Sequence, residues 1–329
     1  MSNRKWNLGI AILFIVFACL LLQFLFSALR IRELVQPLKE GRAGGDAKRH
    51  VVLISQELDN PFWRSVEQGA REASAEYGML LEYTGPFRIN PAEQIKLLEK
   101  TIAAKADAVL VQGINDPLYR QLIDKAAGQG IPVITVDTDE PGSRRLSYVG
   151  SDNLEAGKKM GQLVVQAAGS EGRIGVLVGN EQADNQKLRL AGFDSVISRY
   201  PELTVVAVRS SNISRLQAAG QAEDILTHHP QVGYMVGFSA LDGVGILEAA
   251  GRVGPTGLRI FAFDDLAETV EGIKQCKIAS TLVQQPREMG YEAISLVHDY
   301  FHGKTPKPQH FTATAVLDRS TVGAGEGCR

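Results

Sequence analysis

From His50 onward the sequence alternates between short apolar runs and amphipathic stretches, and no other feature limits the possible folds so sharply. The runs HVVLISQ, MLLEYTG, DAVLVQG, IPVITVD, RIGVLVG, LTVVAVR, VGYMVGF, LRIFAFD and IASTLVQ are too short for buried helices and rich in Val and Ile, as buried strands are. Between them lie stretches of helical period. NPAEQIKLLEKTIAAKA sets Ile95, Leu98 and Ile102 on one face and Glu93, Lys96 and Lys100 on another, and LEAGKKMGQLVVQAAG and PREMGYEAISLVHDYFHG behave alike. Strands that alternate with helices form right-handed βαβ units around a parallel sheet covered on both faces. About nine strands are too many for one comfortable sheet, and the series breaks near Leu146–Asn153, so two similar α/β lobes are expected.

A chain of 329 residues with 44% hydrophobic content can bury the cores of about two such lobes. A formal charge of −2, no basic block and no Cys/His cluster of zinc-finger spacing exclude a phosphate-backbone binder. Cys19, Cys276 and Cys328 are too few for a disulfide framework and read as incidental thiols.

Between Lys5 and Arg30 runs WNLGIAILFIVFACLLLQFLFSAL, about two dozen residues without a charge, enough to cross a bilayer as a helix. It exceeds the apolar region of a cleaved signal peptide and ends in FSALRIREL instead of small residues, so an uncleaved anchor is expected. VFAC resembles a lipobox ending at Cys19, but the apolar run continues past it. Arg30, Arg32, Lys39 and Arg42 outnumber Arg4 and Lys5, which by charge alone would put the large domain in the cytoplasm. Gln36 to Arg49 reads as a polar tether.

In open parallel sheets, ligands sit beyond the carboxyl ends of the strands. The residues there are Asn60, Phe62 and Trp63 after the first run; Asp137 and Thr138 after IPVITV; Asn180, Asn185 and Arg189 after RIGVLVG. Further on come Asn212 and Ile213, Phe238 and Ser239, Asp264 and Asp265, and Gln284. Flat aromatics mixed with planar hydrogen-bonding groups suit a small polyol or sugar, whose C–H faces rest on rings while its hydroxyls pair with carboxylates, amides and guanidinium. Each residue also has a plainer reading: Asn60-Pro61 as a helix cap, Asp137 and Asp264 as turn formers, Arg189 as an exposed helix charge, and the aromatic pair as a loop lid packed on its own lobe ahead of the helix.

Enzymatic signatures are missing. No G-x-G-x-x-G or Gly-Lys-Ser/Thr loop follows the first strand, and Asp264-Asp265 has no third ligand to complete a metal site, so no catalytic residue, cofactor or metal is expected.

The fragments DNPFW, GIPVITVDTD, VGSDNLEAGKKMG, RLAGF, FAFDD and TLVQQP, taken in order, resemble the landmarks of the ribose/galactose-type periplasmic sugar-binding proteins, from His50 to about Leu317. The resemblance implies a type I periplasmic binding fold: two Rossmann-like lobes joined by a three-strand hinge and preceded here by one transmembrane helix. It implies an anchor and tether over 1–49, one lobe from 50–150 and 285–312, and a second from 151–284 and 313–329. Asn60, Phe62, Trp63, Asp137, Arg189, Asp264 and Gln284 match the family's ligand contacts, with Phe62 and Trp63 as sugar-stacking walls. Thr138 stands where the family often has Arg, Ile213 where it often has an aromatic, and Ser239-Ala240 where Asn-Asp is frequent, which leaves the identity of the sugar open. The implied protein is extracytoplasmic, similar to membrane-anchored Gram-positive relatives, and presents a monosaccharide to an ABC-type importer. The alternative is a membrane-anchored receptor that signals to a sensor histidine kinase.

Overall fold

A computed structural model describes residues 48–323 and, before them, only Phe17, Leu21 and Gln23, each helical and exposed. The expected membrane span, most of the tether, Cys19 and Cys328 lie outside the described residues. Among the described residues no helix is long and apolar enough to cross a membrane.

The chain runs through β1 (His50–Ile54), α1 (Pro61–Glu76), β2 (Leu80–Thr84), α2 (Pro91–Ala103), β3 (Ala108–Val111), α3 (Pro117–Gly128), β4 (Val133–Val136) and β5 (Ser147–Ser151). It then passes through α4 (Asn153–Ala168), β6 (Glu171–Val178), α5 (Asp184–Ile197), β7 (Glu202–Ser210), α6 (Arg215–His228), β8 (Tyr234–Gly237), α7 (Ala240–Val253), β9 (Arg259–Phe263), α8 (Ala267–Lys274) and β10 (Ser280–Val283). Last come α9 (Pro286–Phe301), β11 (Gln309–Thr312), β12 (Ala315–Asp318) and α10 (Arg319–Val322). Two six-stranded sheets result, ordered β11-β5-β4-β3-β1-β2 and β12-β10-β9-β8-β6-β7. Leaving out the late additions β11 and β12, the order is the same in both, as expected for two similar doubly wound lobes.

All pairings are parallel except β10 with β12, which is antiparallel and makes the second sheet mixed. The chain crosses between sheets after β5, between β10 and α9, and between β11 and β12, since α9 packs back on α1. The periodic reading missed β5, β11 and β12. The first sits inside the break between series, and the other two are four-residue edge strands with half-exposed patterns. The apolar strand faces otherwise pack as expected: Leu53, Leu110 and Ile134 join Val66 and Ala293 in one cluster, and Val176, Val236 and Phe261 join Phe193 and Met160 in another.

Helices begin where strands end because capping residues stand there. Asn60 accepts from the Phe62 N–H at 3.0 Å and Pro61 opens α1. Phe62 and Trp63 therefore lie in the first turn of the helix, not in a loop ahead of it. Asp152 caps α4 in the same way, accepting from the Glu155 N–H at 3.0 Å.

The cysteine reading is corrected. Cys276, in the turn after α8, is disulfide-bonded, and the chain's other two cysteines lie outside the described residues.

In each lobe a pair of helices meets backbone to backbone at glycines. A Cβ on Gly69 of α1 would lie 1.8 Å from the Arg287 carbonyl oxygen of α9, and one on Gly290 of α9 would lie 1.9 Å from that of Val66. In the second lobe, a Cβ on Gly157 of α4 would come 2.0 Å from the Arg189 carbonyl oxygen, and one on Gly192 of α5 would come 2.1 Å from that of Leu154. Backbone thus meets backbone in both seams, leaving no flexible atom to yield. Gly290→Ala is expected to destabilise the protein by about 1–3 kcal/mol through overpacking, read as a lower urea midpoint at unchanged m-value.

Candidate functional site

The carboxyl ends of both sheets open on one cleft. In it lies a cavity of about 80 Å³ lined by Asn60, Phe62, Trp63 and Asp137 from the first lobe, and Arg189, Ile213, Ser239, Asp264 and Gln284 from the second, whereas Thr138, Asn180, Asn212, Phe238 and Asp265, also expected at the strand ends, do not line it. Gln56, Gln112, Asn185 and Gln186 complete the polar lining. A larger cavity of about 490 Å³ adjoins it, sharing Asn60, Phe62, Ala240 and Asp264.

Arg189 is not the exposed helix charge that its sequence position also allowed. It projects from α5 with 2% exposure. Its Nε donates to Asn153 Oδ1 at 2.8 Å, its Nη1 to the Phe238 carbonyl at 2.8 Å and its Nη2 to Gln284 Oε1 at 2.9 Å. The guanidinium lies 4.0 Å from the centre of the Phe263 ring. Three acceptors from three elements and an aromatic face fix one orientation, which Lys could not reproduce. Gln284 relays the arrangement: its Oε1 also accepts from the Ser151 hydroxyl at 2.9 Å, and its Nε2 donates to Asp264 Oδ1 at 3.1 Å.

The two aspartates occupy matching places. Asp137 follows β4 and Asp264 follows β9, with φ of 67° and 63°. The Asp137 N–H bonds the Val149 carbonyl at 3.0 Å and that of Asp264 bonds the Leu282 carbonyl at 2.8 Å, so each is hooked to the neighbouring strand. The left-handed backbone turns both side chains off the strand path. Ile213 at φ 52° is a sharper exception, because a β-branched residue crowds itself there.

Asp137 Oδ2 accepts from Gln112 Nε2 at 2.8 Å, from the Thr138 hydroxyl at 3.2 Å and, across the cleft, from Asn185 Nδ2 at 3.4 Å. Thr138 is therefore a buttress of Asp137 and does not line the cavity. Gln112 was missed, although it follows β3 directly and the strand-end rule would have found it. Trp63, at 2% exposure, belongs to the first lobe's core as well as to the cavity lining, and meets Phe62 edge-on at a centroid distance of 5.9 Å. The aromatic pair thus does pack on its own lobe, while Phe62 keeps an accessible edge.

Burial raises Asp137 above the usual carboxylate range against the opposing pull of Arg189. Burial likewise pushes Asp264 up to about 6, with Arg189 opposing and the charge of Asp137 assisting. Arg189 is itself drawn below its ordinary value by burial, against the attraction of both carboxylates. One cation thus serves two anions. Arg189→Met should cost about 3–5 kcal/mol in denaturant unfolding, because both carboxylates lose their buried partner. Asp264 holds its proton in the folded state up to about pH 6 against an ordinary 3.8, so its contribution is fully present below 3.8 and is lost as pH rises through about 6. Relative to Asp264→Asn, the ligand-free wild type should therefore gain stability as pH falls from about 7 to about 4, checked by urea midpoints across that range.

The family of periplasmic binding protein domains matches residues 51–305. The ribose import binding protein RbsB of Bacillus subtilis is 25% identical over 281 residues, covering 85% of this chain and 90% of the relative. Among solved structures, GanP, a glucose-galactose binding protein from Geobacillus stearothermophilus, is 36% identical with a TM-score of 0.81, covering 83% of this chain and 98% of its own. A structure of the XylFII–LytSN complex contains a chain that is 31% identical with a TM-score of 0.78, covering 84% of this chain and 99% of the other. These likenesses span both lobes and the cleft between them, and the chain belongs to the periplasmic binding protein domain family, as a binding protein and not an enzyme.

Proposed function

We propose that this chain captures a monosaccharide in the interlobe cleft, outside the cytoplasm, and presents it to an ABC-type importer. The observation that carries this reading is the convergence, in one cavity, of an aromatic edge with carboxylates, amides and a guanidinium from both lobes. Phe62 offers a flat apolar surface to sugar C–H groups, while Asn60, Asp137, Arg189, Asp264 and Gln284 offer hydroxyl partners. Thr138 acts through Asp137, and Ile213 and Ser239 shape the second lobe's side. The names of the relatives, which include ribose import and glucose-galactose binding proteins, support the ligand class and the importer.

Residues 1–49 serve as a single-pass membrane anchor and tether, with 50–150 and 285–312 forming one lobe and 151–284 and 313–329 the other. The disulfide at Cys276 fits an oxidising compartment outside the cytoplasm, which favours that side over the one indicated by the flanking Lys and Arg count. The likeness to the XylFII–LytSN complex supports a second reading, in which the closed lobes are read by a sensor kinase ectodomain. Closure about three chain crossings would produce a surface for either partner by changing a few backbone dihedrals.

A thermal-shift screen of the full-length chain in detergent against pentoses and hexoses tests the reading. A cognate sugar at a hundredfold excess over its Kd should stabilise by about 2.7 kcal/mol. Phe62→Ala should weaken that sugar by about 0.5–1.5 kcal/mol with the fold retained, whereas Trp63→Ala should also unfold more easily by about 3–5 kcal/mol because its ring belongs to the core. Absence of any sugar-dependent shift overturns the proposal.

A further inference from the structure

The Tyr148 hydroxyl stands where the two lobes meet. Tyr148 lies in β5 at 3% exposure, and its Oη is 2.9 Å from the Asp137 carbonyl oxygen and 3.1 Å from that of Ser151. A phenolic hydroxyl has one proton, which these two carbonyls share, and its oxygen accepts from Asn153 Nδ2 at 3.3 Å. Tyr148 itself does not line the smaller cavity, whereas Asp137 and Arg189 do.

Asn153 carries the arrangement into the second lobe. Its Nδ2 donates to Tyr148 Oη and, at 3.1 Å, to the Ser151 carbonyl, so its Oδ1 is turned to Arg189 Nε at 2.8 Å. The opposite setting of that amide would put donor against donor at Arg189 and acceptor against acceptor at Ser151. The Ser151 hydroxyl donates in turn to Gln284 Oε1, which also accepts from Arg189 Nη2. Tyr148, Ser151, Asn153, Arg189 and Gln284 are each 5% exposed or less, so a bond lost among them is not made good by bulk water.

The backbone leaves room for the hydroxyl. Gly150 lies two residues on along β5, on the same face, and a Cβ there would come 2.1 Å from Tyr148 Oη. Phe311 meets the Tyr148 ring edge-on at a centroid distance of 6.2 Å. The run YVGSDN thus supplies the hydroxyl, the space it needs and the amide that answers it.

Resting on the sugar-cleft reading above, we infer that Tyr148 is a positioning residue for the ligand site. Through the Asp137 backbone and through Asn153, it sets the Asp137 carboxylate of the first lobe and the Arg189 guanidinium of the second in register with one another. A sugar that pairs with both then binds without the cost of aligning them.

The test is Tyr148→Phe, which deletes the hydroxyl and keeps the ring, beside Gly150→Ala, which keeps the hydroxyl and fills its space. Isothermal titration of the full-length chain in detergent uses ribose, arabinose, xylose, glucose and galactose. Both variants should bind the sugar that wild type binds about tenfold more weakly. Asn153→Ala should weaken it too, and Tyr148→Phe/Asn153→Ala no further than the stronger single variant, because the two side chains act in one relay. Amide hydrogen exchange of the sugar-free protein gives a second reading. In Tyr148→Phe, exchange should quicken about tenfold at residues 137–139 and at residues 153–156, on both sides of the junction. A lower urea midpoint with unchanged affinity, additive losses in the double variant, or exchange that quickens on one side only overturns this inference and leaves the sugar-cleft reading standing. If wild type binds none of the five sugars, that reading falls, and the exchange result alone upholds or overturns the role of Tyr148.

Discussion

The site depends on one buried cation. Arg189 is held by a side-chain amide, a backbone carbonyl and a second amide, and it lies over the Phe263 ring at the foot of Asp264. Removing a charge from water is costly, and the cost is met only when hydrogen bonds and counter-charges surround the group with good geometry. Gln284 occupies the turn from β10 toward α9, Asn153 opens α4, and Phe238 closes β8. Their positions are consequently coupled through the guanidinium. A shift of any one loop exposes an unsatisfied N–H, and this makes the second lobe's half of the cleft a rigid unit.

The rigidity continues into the scaffold. α1 carries Phe62 and Trp63 and α5 carries Asn185 and Arg189; each is also the helix that meets its neighbour at a glycine seam. Backbone-to-backbone packing fixes axial position more strictly than interleaved side chains, which can repack by changing rotamers. Both site-bearing helices are thereby locked against sliding.

Much of this was legible in the sequence because it is local. The alternation of apolar runs with helical periods revealed two α/β lobes, Asn60-Pro61 marked a helix start, and the residues after the strands collected most of the cleft. What escaped was non-local or too short. β11 and β12 span four residues each and form by pairing with strands far away in sequence. The seam glycines sit inside helical patterns such as EQGARE and EMGYE, with nothing nearby to announce the carbonyl they must avoid. Cys276 has no neighbouring cysteine to suggest a bond. Thr138 looked like a lining residue by position, yet its hydroxyl is drawn to Asp137 Oδ2; Gln112, one strand over, was passed by although the same rule applied to it.

The hydrogen bond from Asn185 to Asp137 joins the two lobes directly, at a length of 3.4 Å. A bond that long contributes little, so whatever enters the cleft gives up little in parting the two side chains, and the polar groups it frees are left to pair with it.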